Sequence, residues 1–143
     1  MLPEENLEIA HCFFNALNEH DPEAAERLFA PSFVFYVHRR PPEGIRGWQR
    51  WFTRFIRGFP DFQAVVEATI ADEANVVTRW TLRGTHLGMF WTIAPTGREV
   101  TMPAVSIHRI AGGKIVEYWL FIDELGLLEQ LGVILVRGQP FPE

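Results

Sequence analysis

The stretch from Met102 to Asp123 constrains the fold more than any other part of the chain. It reads as two β-strands around Ala111-Gly112-Gly113-Lys114, because paired glycines supply the positive φ that a tight hairpin turn requires. An unbroken ladder from that turn sets Ile110 opposite Ile115, His108 opposite Glu117, Ser106 opposite Trp119, Ala104 opposite Phe121 and Met102 opposite Asp123. Side chains alternate along a strand, so all of these fall on one face. The other face carries Val105, Ile107, Val116, Leu120 and Ile122, relieved only by Arg109 and Tyr118. A face that mixes aromatic rings with His108, Glu117 and Asp123 is expected to border a ligand pocket rather than a dry core, since a buried carboxylate is costly without partners.

The remaining sequence supplies the setting for that hairpin. From about Glu4 to Glu19, Leu7, Ala10, Phe13, Phe14 and Leu17 recur at helical spacing. Asp21-Pro22 then caps and opens a short helix through about Phe29, and Pro31 stops it. Ser32 to Arg39 is β-rich. Between Gly47 and Gly58, Trp48, Trp51, Phe52, Phe55 and Ile56 form an apolar stripe opposite Arg50, Arg54 and Arg57, the strongest amphipathic helix in the chain. Strands are expected over Phe62 to Thr69, Val76 to Thr85, Phe90 to Ala94, Glu99 to His108 and Lys114 to Ile122, followed by a last helix carrying Leu127, Leu128 and Leu131. Three helices and then a run of strands indicate an α+β fold with a curved, antiparallel-dominated sheet. The 143 residues suit one domain, with residues 136–143 expected to be an extended tail.

Composition excludes several classes of function. Aromatic residues make up 13% of the chain, including twelve Phe and five Trp, which argues against disorder. The net charge of −5 and the scattered arginines, with no basic run, make nucleic acid a poor partner. No apolar run is long enough for a membrane span, and the acidic start (Glu4, Glu5, Glu8) lacks the pattern of a signal peptide, so a cytoplasmic protein without membrane attachment is expected. Cys12, the one cysteine, is expected to be a buried small hydrophobe on the first helix.

The chemistry-bearing candidates converge on the hairpin face. Asp123 ends the last strand beside Trp119 and Phe121, where desolvation would raise its pKa toward that of a general acid/base; the same position, just before the last helix, is also a standard N-cap. His108 lies within cross-strand reach of Glu117, either as a polar pocket group or as a half-buried ion pair. His38 ends the first strand, and His86 shares the parity of Trp80, so three histidines from three strands are formally available to a metal, though no close spacing supports one. Trp48, Phe52 and Phe55 roof whatever the sheet cups, together with Trp80, Met102 and Ser106 on its inner side. A Ser106-His108-Asp123 triad lacks the expected oxyanion turn.

Gly84-Thr85-His86-Leu87-Gly88, Pro95-Thr96-Gly97-Arg98, Gly113-Lys114-Ile115-Val116-Glu117-Tyr118-Trp119 and Asp123-Glu124-Leu125-Gly126-Leu127-Leu128-Glu129-Gln130-Leu131-Gly132, with Phe59-Pro60-Asp61, resemble the SnoaL-like polyketide cyclase family of the nuclear transport factor 2-like superfamily. The likeness runs from about Leu7 to Gly132. It implies a cone-shaped sheet around an internal pocket and a cofactor-independent intramolecular aldol condensation. An aspartate at the end of the last long strand, matched by Asp123, is then the acid/base, with His108 as the pocket histidine. It also implies a small apolar or aromatic ligand, no metal or cofactor, and a homodimer or higher homo-oligomer built on the greasy hairpin face. Alternatives on the same scaffold are a non-catalytic binding protein for an apolar molecule, a ketosteroid isomerase-like enzyme, an epoxide hydrolase-like enzyme and an association domain.

Overall fold

The computed structural model describes residues 2–38 and 40–133. Helices α1 (Pro3–Asn18) and α2 (Pro22–Glu26) precede strand β1 (Phe29–Val37) and helix α3 (Ile45–Gly58). Strands β2 (Gln63–Ala71), β3 (Asn75–Thr85), β4 (Glu99–Ala111) and β5 (Lys114–Ile122) follow, and α4 (Glu124–Gln130) closes the described chain. The sheet order is β1-β5-β4-β3-β2; β1 runs parallel to β5 and every other pairing is antiparallel. This is the expected α+β class with a curved mixed sheet. The tail anticipated at 136–143 lies outside the described residues.

The helices fill the cupped side of the sheet. Phe13 and Phe14 of α1 reach the sheet's inner rings, Phe13 at 5.0 Å from Tyr118 and Phe14 at 5.5 Å from Trp80. On α3 the stripe anticipated from spacing is the buried one, with Trp48, Trp51, Phe52 and Phe55 all inward and the arginines outward. Burying rings of this size contributes roughly 1.5–3 kcal/mol each, which is why a short, glycine-bounded helix stays docked. Asn18 at the end of α1 pins the edge strand, donating to the Ala64 carbonyl at 3.0 Å and accepting its N–H at 2.6 Å. Gly88 permits the loop after β3 to lie against α3: a Cβ there would sit 2.0 Å from the Arg57 carbonyl oxygen. Phe90 to Ala94 makes no strand, only an isolated bridge between Phe90 and Ile93.

Further sequence expectations fail: the second helix ends at Glu26, and Phe29 to Pro31, expected to end it, open β1. Cys12 is exposed, because it lies off the stripe of Ala10, Phe13, Phe14 and Leu17 that faces the sheet. The hairpin correction is larger. Gly112 and Gly113 do form the turn, with φ of 59° and 78°, and Ile110 does face Ile115. The next pair, however, is Arg109 with Glu117, so Val116 is an extra residue on β5 and the ladder carries a bulge. From that point every side chain of β5 changes face. His108 faces Tyr118, Ser106 faces Leu120 and Ala104 faces Ile122 across the inner surface. Glu117, Trp119, Phe121 and Asp123 fall on the outer surface with Arg109, Ile107 and Val105.

Candidate functional site

The cupped side of the sheet encloses an apolar cavity of about 30 Å³, lined by Phe13, Trp48, Phe52, Phe55 and Trp80, among others, with Met102 and Tyr118 on the sheet side. That volume suits one or two water molecules and excludes a multi-ring compound unless the wall moves. Trp51 is the most exposed aromatic residue of the wall at 8%, and its outer side is covered by the Arg40 guanidinium, 4.9 Å from the ring centroid. A cation–π contact at a partly exposed site stabilises by about 0.5–1 kcal/mol, so the Arg40–Trp51 contact by itself holds this section of the wall only weakly. Arg40 also lies 3.5 Å from Glu124, the first residue of α4, and Glu124 lies 3.6 Å from His38 Nε2. His38, Arg40 and Glu124 therefore gather outside Trp51.

Polar chemistry inside the sheet is concentrated on β3, β4 and β5. Trp80 donates its indole N–H to Ser106 Oγ at 2.8 Å, and Ser106 Oγ lies 2.8 Å from Tyr118 Oη. All three residues are buried. Burial raises the Tyr118 phenol above its usual pKa, against a smaller opposing effect of the Ser106 hydrogen bond, so the ring stays protonated. His108 stacks on Tyr118 at 4.5 Å and 7°, with Phe13 edge-on at 4.5 Å. It is fully buried with neither ring nitrogen hydrogen-bonded, and desolvation pushes its pKa down to about 3. It stands behind Tyr118 as a neutral ring rather than on the cavity wall.

The structure divides the residues singled out from sequence. Trp48, Phe52, Phe55, Trp80 and Met102 line the cavity, and Ser106 sits directly behind it. Trp119 and Phe121 do not: the Val116 bulge turns them outward, where Trp119 stacks on Tyr36 at 3.9 Å and Phe121 is half exposed. Asp123 leaves the His108 face for the same reason, and its Oδ1 accepts the Gly126 N–H at 2.9 Å as the N-cap of α4. The expected His108–Glu117 pair is absent; Glu117 is bonded to Arg109 on the outer face, 3.1 Å away.

His86 is buried against Phe59, its Nδ1 accepting the Thr96 N–H at 3.1 Å, and burial lowers its pKa. His38 lies beside Glu124 outside Trp51 and His108 under α1, so among the described residues the three histidines form no common ligand set. Sequence reasoning passed over Tyr118, Arg40 and Glu124. Tyr118 had a signal: Glu117 and Asp123 share parity along β5, which marks theirs as the wet face and the Tyr118-Leu120-Ile122 face as the dry one.

Among the described residues no helix is long and apolar enough to cross a membrane. Comparison with curated protein sequences finds no match. Among solved structures the chain is similar to AclR of Streptomyces galilaeus, provisionally described as a hydroxylase, at 28% identity and a TM-score of 0.86 over 92% of this chain and 87% of that one. It is similar to IdmH of Streptomyces antibioticus, provisionally described as a polyketide cyclase, at 31% identity and a TM-score of 0.78 over 88% and 97% of the two chains. A SnoaL-like protein from Jannaschia sp. CCS1, 24% identical with a TM-score of 0.85 over 93% and 95% of the two chains, shares the fold. The sequence profile of the SnoaL-like polyketide cyclases matches residues 8–131, and the chain belongs to that family.

Proposed function

We propose that the chain is a cofactor-independent, cyclase-type proton-transfer enzyme that binds a small apolar carbonyl compound behind α3 and reacts it through its enolate. The observation that carries this reading is the donor chain Trp80–Ser106–Tyr118 ending at the cavity wall. An indole N–H only donates, so Ser106 Oγ accepts from Trp80, and its own proton is free to go to Tyr118 Oη. The phenol proton then serves an oxygen inside the cavity. A protonated phenol aimed at a carbonyl stabilises the charge that develops as the enolate forms, and a dry site strengthens that effect. A carbon flanked by carbonyls is already acidic, so orientation and one proton acceptor complete the requirement. Asp123 is engaged by the cap of α4, whereas Glu124 meets Arg40 outside Trp51; in this reading Glu124 becomes the acceptor once the Arg40–Trp51 stack opens to admit the ligand.

The test is hydrogen–deuterium exchange at the carbon next to the carbonyl of 2-tetralone, followed by NMR. The protein is expected to accelerate exchange, Tyr118→Phe to slow it by about 10²-fold, and Glu124→Gln to abolish it. Asp123→Asn is expected to leave it unchanged. Binding of 2-tetralone without exchange above the uncatalysed rate would instead favour a non-catalytic binding protein. That second reading is supported by the all-apolar lining around Tyr118 and the absence of any cavity-lining carboxylate among the described residues. On either reading we assign the uncovered outer face, with Tyr36, Trp119 and Phe121, to contact between two copies of the chain.

A further inference from the structure

We propose that the groove on the outer side of α3 recognises an anionic group, carboxylate or phosphate, carried by the apolar compound that occupies the cavity. The inference rests on the cavity reading above and adds a charged arm to the ligand. The groove, of about 580 Å³, is lined by Arg50, Arg54 and Arg57 on α3 and by Met89 and Trp91 from the loop that follows β3, among others. The spacing of the three arginines, i, i+4 and i+7, stacks them on one helical face. Arg50 is bonded to Glu43 at 2.6 Å, while Arg54 and Arg57 have no ion-pair partner among the described residues. In a chain of net charge −5, two neighbouring arginines without an ion-pair partner on one helical face are a local feature of the fold, not a background property.

The floor of the groove is organised around Trp91. The Arg54 guanidinium lies 5.1 Å from its ring centroid and that of Arg40 lies 4.9 Å from it. Its backbone has a φ of +52°, in the left-handed region where a bulky side chain is rarely found. Partial burial, followed by the repulsion of Arg40 and Arg50, lowers the pKa of Arg54 against the smaller opposing pull of Glu43 and Glu124, and an anion would relieve the crowding that remains. Arg40 joins the two spaces: one guanidinium rests 4.9 Å from Trp51 on the cavity wall and 4.9 Å from Trp91 in the groove. A ligand that enters by displacing Arg40 from Trp51 directs its substituent toward Trp91 and Arg54. Planar guanidinium groups bind carboxylate and phosphate oxygens in pairs, and the aromatic floor accepts the linking carbons. A nucleic acid would need a longer basic track and would meet a net-negative protein.

The test uses three matched probes: 2-acetylnaphthalene, 6-acetyl-2-naphthoate and 6-acetyl-2-naphthyl phosphate, with affinity followed by tryptophan fluorescence or calorimetry. At low salt the two anions are expected to bind at least about tenfold tighter than the neutral ketone, an advantage that shrinks as salt is added. The double variant Arg54→Gln/Arg57→Gln is expected to lose that advantage while holding the neutral ketone as before, and Arg54→Lys/Arg57→Lys to retain part of it. Circular dichroism checks that each variant is folded. A larger gain for the phosphate than for the carboxylate identifies a phosphorylated arm, and the reverse a carboxylated one. Equal binding of all three probes, or an anion preference that survives in the glutamine variant, overturns the groove and leaves the cavity reading intact. Failure of all three to bind overturns both.

Discussion

Tyr118 and Trp119 are neighbours in sequence, both aromatic, on the strand that the family likeness made most prominent, yet they lie on opposite sides of the sheet. On the inner side Tyr118 is buried, hydrogen-bonded to Ser106 and stacked on His108, in a region so filled by rings that only about 30 Å³ of space remains. On the outer side Trp119 is 37% exposed, stacked on Tyr36 and bonded to a carboxylate, with Phe121 half exposed beside it. The inner face combines burial with polar groups of fixed direction, which is what positioning a reactive carbonyl demands. The outer face combines exposure with apolar area, which is what association demands. One residue, Val116, decides which ring belongs to which.

The largest effect that would test this contrast is the pH dependence produced by His108. In the unfolded chain its imidazole takes up a proton near 6.5, whereas burial in the folded protein delays protonation to about 3. Between those values the unfolded state binds more protons, so stability is fully present above pH 6.5 and is lost progressively as pH falls toward 3. The loss approaches about 1.4 kcal/mol per pH unit at most. His108→Phe, placed between Phe13 and Tyr118, removes two unpartnered nitrogens and the penalty of charging them. Urea titrations across that range should show a flatter profile for the variant and a stability crossing above the parent in acid. Equal slopes would mean that the inner face is wetter than its packing indicates.

The next effect concerns Asp123, which the same bulge removes from the inner face. Asp123→Ala should destabilise by about 1 kcal/mol through the lost cap of α4, while Asp123→Asn, which still accepts the Gly126 N–H, should stay close to the parent. A thermal melt of the three proteins checks this. A large loss in the Asn variant would show that the carboxylate does more than cap.

How far the sequence could be read follows from these same residues. The helical stripe of α3, the cap at Asp123, the glycine turn at 112–113 and the α+β order all rest on local chemistry, and each is found where residue type and spacing place it. The candidate site was only half legible, because which residues face the cavity depends on register. Alternation carries a face along a strand without error until one residue is inserted, and no single-residue propensity marks Val116 as the insertion. Trp48, Phe52, Phe55, Trp80 and Met102 were independent of that register and line the cavity. Trp119, Phe121 and Asp123 were counted from the turn across the bulge and do not. The arginines looked dispersed in sequence because Arg40 and the α3 arginines converge only when the loop carrying Trp91 folds back against them.

The smallest effect on stability should come from the outer face, and it is the most informative about assembly. Replacing Trp119 and Phe121 together by Ser removes the 3.9 Å stack on Tyr36 and two rings that already meet solvent, so the isolated chain should lose no more than about 1 kcal/mol. If two copies meet on this face, the same substitutions remove apolar area from the centre of the contact, where truncation of large aromatic residues weakens binding most. Sedimentation velocity should then show the parent as a dimer and the double variant as a monomer at equal concentration. The melting temperature of the parent alone should rise with protein concentration. A parent that remains monomeric at high concentration would remove the outer face from any role in assembly, and Tyr36, Trp119 and Phe121 would stand as an aromatic surface without a partner copy. The inner face is insulated from either outcome, because among the described residues its rings pair with Phe13, Tyr118 and α3, whereas Trp119 pairs with Tyr36 on the outer side.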